Sequence, residues 1–215
     1  VYVIFWNMEI TNTLFGNFAN YGFVKARVPT DLFEKLKEEI YNIDQSTAQP
    51  FNNNLAGNIK REYKLEKNTK ELEQFLIKQC QEYTANWDTT RTAKDLRSDN
   101  LELYSHWVNI QHKHEFNPMH GHDGLYSFAL WVDVPYTIDQ EIGQEFCKNS
   151  NAPRAGMFSF MYTNIFGEIR EAEFAVDKSH EGYVFVFPSC LQHTVYPFSS
   201  SDSPRISISG NLRRK

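Results

Sequence analysis

The sequence predicts a mainly β fold with helices: a double-stranded β-helix, a jelly roll of the cupin-like kind, with an N-terminal helical layer packed on one sheet. Three observations lead there. Phe, Trp and Tyr make up 15% of the chain, an enrichment that leans toward sheet. From Leu101 onward the hydrophobic period is two, in seven short runs separated by turn residues. Before residue 100 the period is helical, and two helices in front of seven strands bury their apolar faces by packing on one of two apposed sheets.

Taken in order, the opening "VYVIFWNMEI" is apolar for only six residues and lacks the basic start and longer apolar core of a signal peptide. No later stretch reaches the length of a membrane span, so the expectation is a protein neither secreted nor membrane-spanning. The segment "YGFVKARV" (21–28) alternates as a strand. A helix is predicted over 31–43, where Leu32, Phe33, Leu36, Ile40 and Ile43 recur at helical spacing, with Thr30 as N-cap and Asp31 at the positive helix end. The Asn-, Gln-, Gly- and Pro-containing stretch 44–63 reads as a loop able to reach over a binding site. The strongest helix signal follows, with Leu72, Phe75, Leu76, Cys80, Tyr83 and Trp87 on one face.

The seven strand-like runs are "LELYSHWVNIQ", "LYSFALWVDV", "GMFSFMYTN", "REAEFAV", "YVFVFPS", "HTVYPF" and "RISISGNL". The aromatic runs among them read as core, with Tyr126 or Tyr162 as candidates to reach a pocket. No internal repeat or linker interrupts the chain. The expectation is one domain over 1–215, with 1–100 as helical support and 101–215 as the β core.

A formal net charge of −5 leaves no basic stripe for nucleic acid, so no nucleic-acid partner is expected. Three cysteines, Cys80, Cys147 and Cys190, are an odd number at unrelated spacings and give neither a disulfide framework nor a metal knot. A reducing, cytoplasmic location is expected. The sequence carries no sign of the oligomeric state.

The chemistry concentrates in "NPMHGHDG" (117–124). On an extended strand, residues i and i+2 project to one face about 6 to 7 Å apart, so His120 and His122 can chelate one cation. Neutral imidazoles suit Fe, Zn, Cu and Ni. The best candidate for a third ligand is His193 in "FPSCLQHTVYPF". A second pair, His112 and His114 in "HKHEF", lacks a matched partner segment and reads as a charged turn; His106 and His180 read as surface or strand-edge residues. If 193–198 and 205–210 form a hairpin about Ser199, Arg205 falls roughly opposite His193. A guanidinium beside a metal ligand is a carboxylate anchor, because its planar fork binds both oxygens.

The combination "NPMHGHDG…SFALWV…FPSCLQHTVYPF…RISISGNL", over about residues 101–212, resembles the 2-oxoglutarate and Fe(II)-dependent oxygenases, in particular a small branch of bacterial and marine-bacteriophage proteins with an HxH…H motif. That resemblance implies a double-stranded β-helix and the cofactors Fe(II), 2-oxoglutarate and O₂. It places His120 and His193 at the first and distal iron-ligand positions. Arg205 and Ser207 match the R-x-S cosubstrate anchor, with Asn109 and Gln111 as further polar partners of 2-oxoglutarate. It implies a dioxygenase that hydroxylates a small molecule or a protein side chain with release of succinate and CO₂, in the host cytoplasm if phage-encoded.

One position departs from the pattern. Most members carry an acidic second ligand where this chain has His122, which gives a three-histidine set. A break at Gly121 or Gly124 would instead turn Asp123 inward in place of His122, and both readings stay open. Two other functions stay open with them: a non-catalytic metal-binding jelly roll, and a three-histidine dioxygenase that does not use 2-oxoglutarate. Substrate contacts are expected from loops 44–63 and 136–153.

Overall fold

The period-two segments pair into two antiparallel sheets in the computed structural model, which describes residues 20–86, 96 and 98–215. The opening decapeptide and Trp87 lie outside the described residues. The larger sheet holds β1 (Val24–Arg27), β2 (Glu62–Lys64), β3 (Leu101–Gln111), β5 (Tyr126–Asp133), β8 (Tyr183–Pro188) and β10 (Arg205–Arg214), in the spatial order β1-β8-β5-β10-β3-β2. The smaller holds β4 (Asn117–His120), β6 (Phe158–Thr163), β7 (Ile169–Phe174) and β9 (Gln192–Val195), in the order β4-β9-β6-β7. From β3 onward the chain passes back and forth between the sheets, which makes the fold a double-stranded β-helix.

Alternation along each strand sends one set of side chains to the helices and the other to the opposing sheet. In β8, Val184 and Val186 join the core under the helices, whereas Phe185 and Phe187 join the aromatic core between the sheets. Helix α1 (Thr30–Tyr41) contributes Leu32, Leu36 and Ile40 to the first core, and α2 (Thr69–Asn86) contributes Leu72, Leu76, Cys80 and Tyr83. The helical layer thus stiffens the larger sheet from behind and leaves its other face for the site.

Several expectations are corrected. Thr30 is the first helical residue rather than the N-cap; Pro29 occupies that position at φ −53° and makes no side-chain cap, its fixed ring carrying the chain directly into the helix. The hairpin of 193–198 with 205–210 does not form. β9 pairs with β4 and β6, and β10 with β3 and β5, so the two strands belong to different sheets. The turn-rich stretch between them crosses from sheet to sheet, and a buried carboxylate holds it there. Glu141, in the unforeseen short helix α3 (Ile138–Ile142), accepts the backbone N–H of Ser199 (2.8 Å) and of Ser200 (2.9 Å), as well as the Ser200 hydroxyl.

Candidate metal centre

His120 ends β4 and His193 lies in β9, and the two are direct partners across the ladder. A register shift between Asn117 and His120 aims the end of β4, and His122 follows in the loop, where its N–H donates to Ser189 O (2.9 Å). Ring centroids lie 4.3 Å apart for His120 and His193, 4.8 Å for His120 and His122, and 5.1 Å for His122 and His193. One ligand atom from each ring comes within 4.8 Å of the others. The arrangement therefore rests on a strand end plus the following loop, not on one continuous strand face.

Two of the rings are oriented by backbone carbonyls. A carbonyl only accepts, so the Nδ1–H of His120 donates to Pro118 O (2.7 Å) and that of His193 to Leu191 O (3.0 Å). Each Nε2 is left with its lone pair, as a metal-binding imidazole requires. Burial, then the neighbouring histidines, pushes His193 well below the ordinary imidazole value, and the same causes push His122 down to about 4. His120 is lowered by burial too. All three rings stay neutral near pH 7, which suits a divalent first-row ion and not an anion. Asp123 is exposed and outside this group, with its backbone carbonyl accepting from the Tyr104 hydroxyl (3.3 Å).

The opposing wall of the cavity is the larger sheet. Residues directly opposite across an antiparallel ladder share a face, and the register sets Glu62, Asn109, Ser207 and Trp131 in one row from β2 through β3 and β10 to β5. Gln111 and Arg205 pair on the neighbouring row. All six line one cavity with His120, His122 and His193. Asn109 donates to the hydroxyls of Ser207 (3.2 Å) and Ser209 (3.0 Å) and accepts from the Trp107 indole (3.0 Å), so it is tied into the sheet.

Arg205 is 2% exposed, shut away from bulk solvent. Nor does it make an ion pair among the described residues. Its Nε and Nη2 donate to Gln111 Oε1 (3.3 and 2.7 Å), Nη2 to Tyr196 O (3.1 Å), and Nη1 to Gly156 O (3.0 Å) and the Tyr136 hydroxyl. It stands opposite Gln111 and not, as the hairpin reading had it, opposite His193.

Other expectations move. His106 is buried beneath α2, with Nε2 3.4 Å from the Thr69 hydroxyl, and burial lowers its pKa to about 4. Tyr126 points into the core under the helices, its hydroxyl on Leu96 O, and neither it nor Tyr162 lines the cavity. Loop 44–63 does contribute, through Leu55, Ala56, Gly57, Ile59 and Glu62, but of 136–153 nothing lines the cavity. That insertion braces the crossing at Ser199 and, through Tyr136, Arg205. Glu62 and Asn117 were not picked out from the sequence; an isolated Glu in a charged loop and an Asn before Pro carry no periodic signal.

The fold and its facing walls define a class, a double-stranded β-helix with a three-imidazole cluster lining its cavity. Residues 105–211 match the family model described as "Putative 2OG-Fe(II) oxygenase", and the chain belongs to the Fe(II)/2-oxoglutarate-dependent oxygenases. A prolyl-4-hydroxylase from Pseudomonas putida superposes with a TM-score of 0.54 over 91% of this chain and 94% of its own, at 14% identity. The non-heme alpha-ketoglutarate-dependent carbocyclase SnoK from nogalamycin biosynthesis gives a TM-score of 0.52 over 88% and 78%, at 10% identity. At such identities the likeness is one of fold. No curated protein matches the chain significantly. Among the described residues no helix is long and apolar enough to cross a membrane.

Proposed function

We propose that residues 1–215 work as one dioxygenase domain that hydroxylates a C–H bond of a small molecule or a protein side chain. In this reading His120, His122 and His193 hold Fe(II), and Arg205 with Ser207, Asn109 and Gln111 receives 2-oxoglutarate. The observation that carries it is the facing pair of walls: three neutral, carbonyl-oriented imidazoles on the smaller sheet and a buried guanidinium on the larger, lining one cavity. Bound iron, 2-oxoglutarate and O₂ supply an oxidation in which one oxygen atom ends in succinate, CO₂ leaves, and the other oxygen ends in the substrate hydroxyl.

The chain's own residues handle positioning. The carbonyls of Pro118 and Leu191 fix two imidazole tautomers, and aromatic walls from Trp107, Trp131 and Phe158 exclude water around the reacting carbon. Gln111 Oε1 sits on the Nε/Nη2 edge of Arg205, the edge a carboxylate grips bidentately. Gln111 is itself held by donating its Nε2–H to Glu115 O (2.6 Å), which fixes its Oε1 on that edge beside the place where the cosubstrate carboxylate is received.

Purified protein incubated with Fe(II), ascorbate and 2-oxoglutarate is expected to release succinate, and Arg205→Ala to abolish that release. Occupation of every Arg205 donor by the protein favours a second reading, a three-histidine dioxygenase that binds its substrate and O₂ without 2-oxoglutarate. Oxygen uptake that ignores both 2-oxoglutarate and Arg205→Ala would establish the second and dismiss the first.

A further inference from the structure

The cavity contains a carboxyl group that the oxygenase chemistry does not use. Glu62 is 1% exposed at the edge of the larger sheet, one position along its row from Asn109. Its Oε2 accepts from Asn52 Nδ2 (3.1 Å), while Oε1 is buried without a hydrogen-bond partner. Across from it, on the strand that leads into His120, Asn117 Oδ1 is also buried and unpartnered. Both oxygens converge on Gly57, in the loop that covers this end of the cavity: a Cβ placed there would stand 2.0 Å from Asn117 Oδ1 and 3.3 Å from Glu62 Oε1. Gly57 packs against both oxygens with no side chain to come between them, one added there would collide with Asn117 Oδ1, and the niche that the three residues form is part of the cavity lining.

Buried acceptors without donors are costly, and a buried carboxylate without a cation more so. Here the charged side chain acting on Glu62 is another carboxylate, Glu115, which worsens the burial and helps raise the Glu62 pKa to about 7. The niche is therefore short of hydrogen-bond donors and of positive charge together. Its two oxygens lie within the span that a single cationic nitrogen bridges with hydrogen bonds of about 2.8 Å.

We propose that Glu62 and Asn117 form a substrate-recognition subsite for a cationic nitrogen carrying at least two N–H groups, an ammonium or a guanidinium. This rests on the cavity being the substrate cavity of the oxygenase read above. Glu62 selects the charge and Asn117 supplies the second acceptor. A substrate held there by its cationic end presents its neighbouring carbons toward the histidine cluster, since Asn117 precedes His120 on the same short strand.

The test uses n-pentylammonium and n-butylguanidinium as probes, against n-hexanol and hexanamide as uncharged counterparts, by isothermal titration calorimetry at pH 8. Titrations are run on the metal-free protein and, without oxygen, on the protein loaded with Fe(II) and 2-oxoglutarate. At least one cationic probe is expected to bind tenfold or more tightly than either uncharged one in both states. Glu62→Gln is expected to bring the two classes to near parity. Gly57→Ala, whose Cβ would push Asn117 Oδ1 aside while keeping the carboxylate, is expected to weaken the cation at least tenfold, and it keeps the proposal testable should Glu62→Gln fold poorly. Equal binding of cations and uncharged probes, or a preference that survives Glu62→Gln in a folded variant, overturns the subsite. Cation binding that persists in a protein making no succinate leaves the subsite standing and removes only the 2-oxoglutarate-dependent reading; succinate formation without cation preference does the reverse.

Discussion

Replacing Glu62 by Gln should make the ligand-free protein more stable above neutral pH, and the pH course of that gain follows from the burial. The carboxyl of Glu62 is raised from an ordinary 4.5 to about 7, first by burial and then by Glu115. A raised folded pKa means that the folded state holds its proton where the unfolded chain has released it. Stability from this group is complete below about 4.5, declines as pH rises, and is lost in full beyond about 7. From 4.5 to about 7, at roughly 1.4 kcal/mol per pKa unit, the shift corresponds at most to about 3 to 4 kcal/mol. Gln keeps the shape and cannot ionise. Urea unfolding of both proteins in chelator at intervals from pH 4.5 to 8.5 isolates the effect, since every other titrating group is common to the pair. The difference should be near its minimum at pH 4.5, climb through pH 5 to 7, and level off by pH 8 with the variant ahead by about 2 to 3 kcal/mol. A difference that stays constant across that range would refute the claim that the carboxyl is buried uncompensated.

Three further outcomes are expected. His193→Ala should weaken Co(II) or Fe(II) binding by more than ~100-fold, beyond what loss of an outer hydrogen-bond partner costs, as read by metal titration. With His122 lowered to about 4, protons should compete with the metal only well below the usual imidazole range, so affinity should hold nearly level from pH 8 to about 5.5; a steep fall between pH 7 and 6 would contradict the burial of the rings. Gly210→Ala should cost about 1 to 3 kcal/mol or more by urea unfolding, because a Cβ there would meet Ser105 O at 2.5 Å, Phe128 Cε1 at 2.7 Å and His106 Cβ at 2.8 Å, none of them a flexible chain end.

Much of this molecule was readable from periodicity, and the unreadable part is where contacts are non-local. Alternation of apolar residues gave the strands from β3 to β10, apart from β4, whose four residues "NPMH" contain a proline and only one exposed large apolar side chain, Met119. The pairing of β9 with β4 instead of β10 could not be read, because "SSSDSP" signals a turn whether the chain returns or crosses to another sheet. What decides it is the carboxylate of Glu141, which lies nearly sixty residues away. His120, His122 and His193 were singled out by type and spacing, and the structure brings their rings together. Arg205 was singled out for its fork, but its partners Tyr136, Gly156 and Tyr196 come from three separate segments. Glu62 stayed hidden because burial of a single carboxyl leaves no local pattern in a stretch that also contains Lys60 and Arg61.

The pairing of His120 with His193 across neighbouring strands has a mechanical side. β4 is a four-residue ribbon at the rim of its sheet, and the loop that follows it carries the third imidazole two residues on. An ion gripped from both sides of that seam would rivet it, and a slip of one residue would throw one ring outward and release the ion. Loading the centre and aligning the rim are thus a single event, and amide-exchange protection of residues 117–120 should rise and fall with metal occupancy.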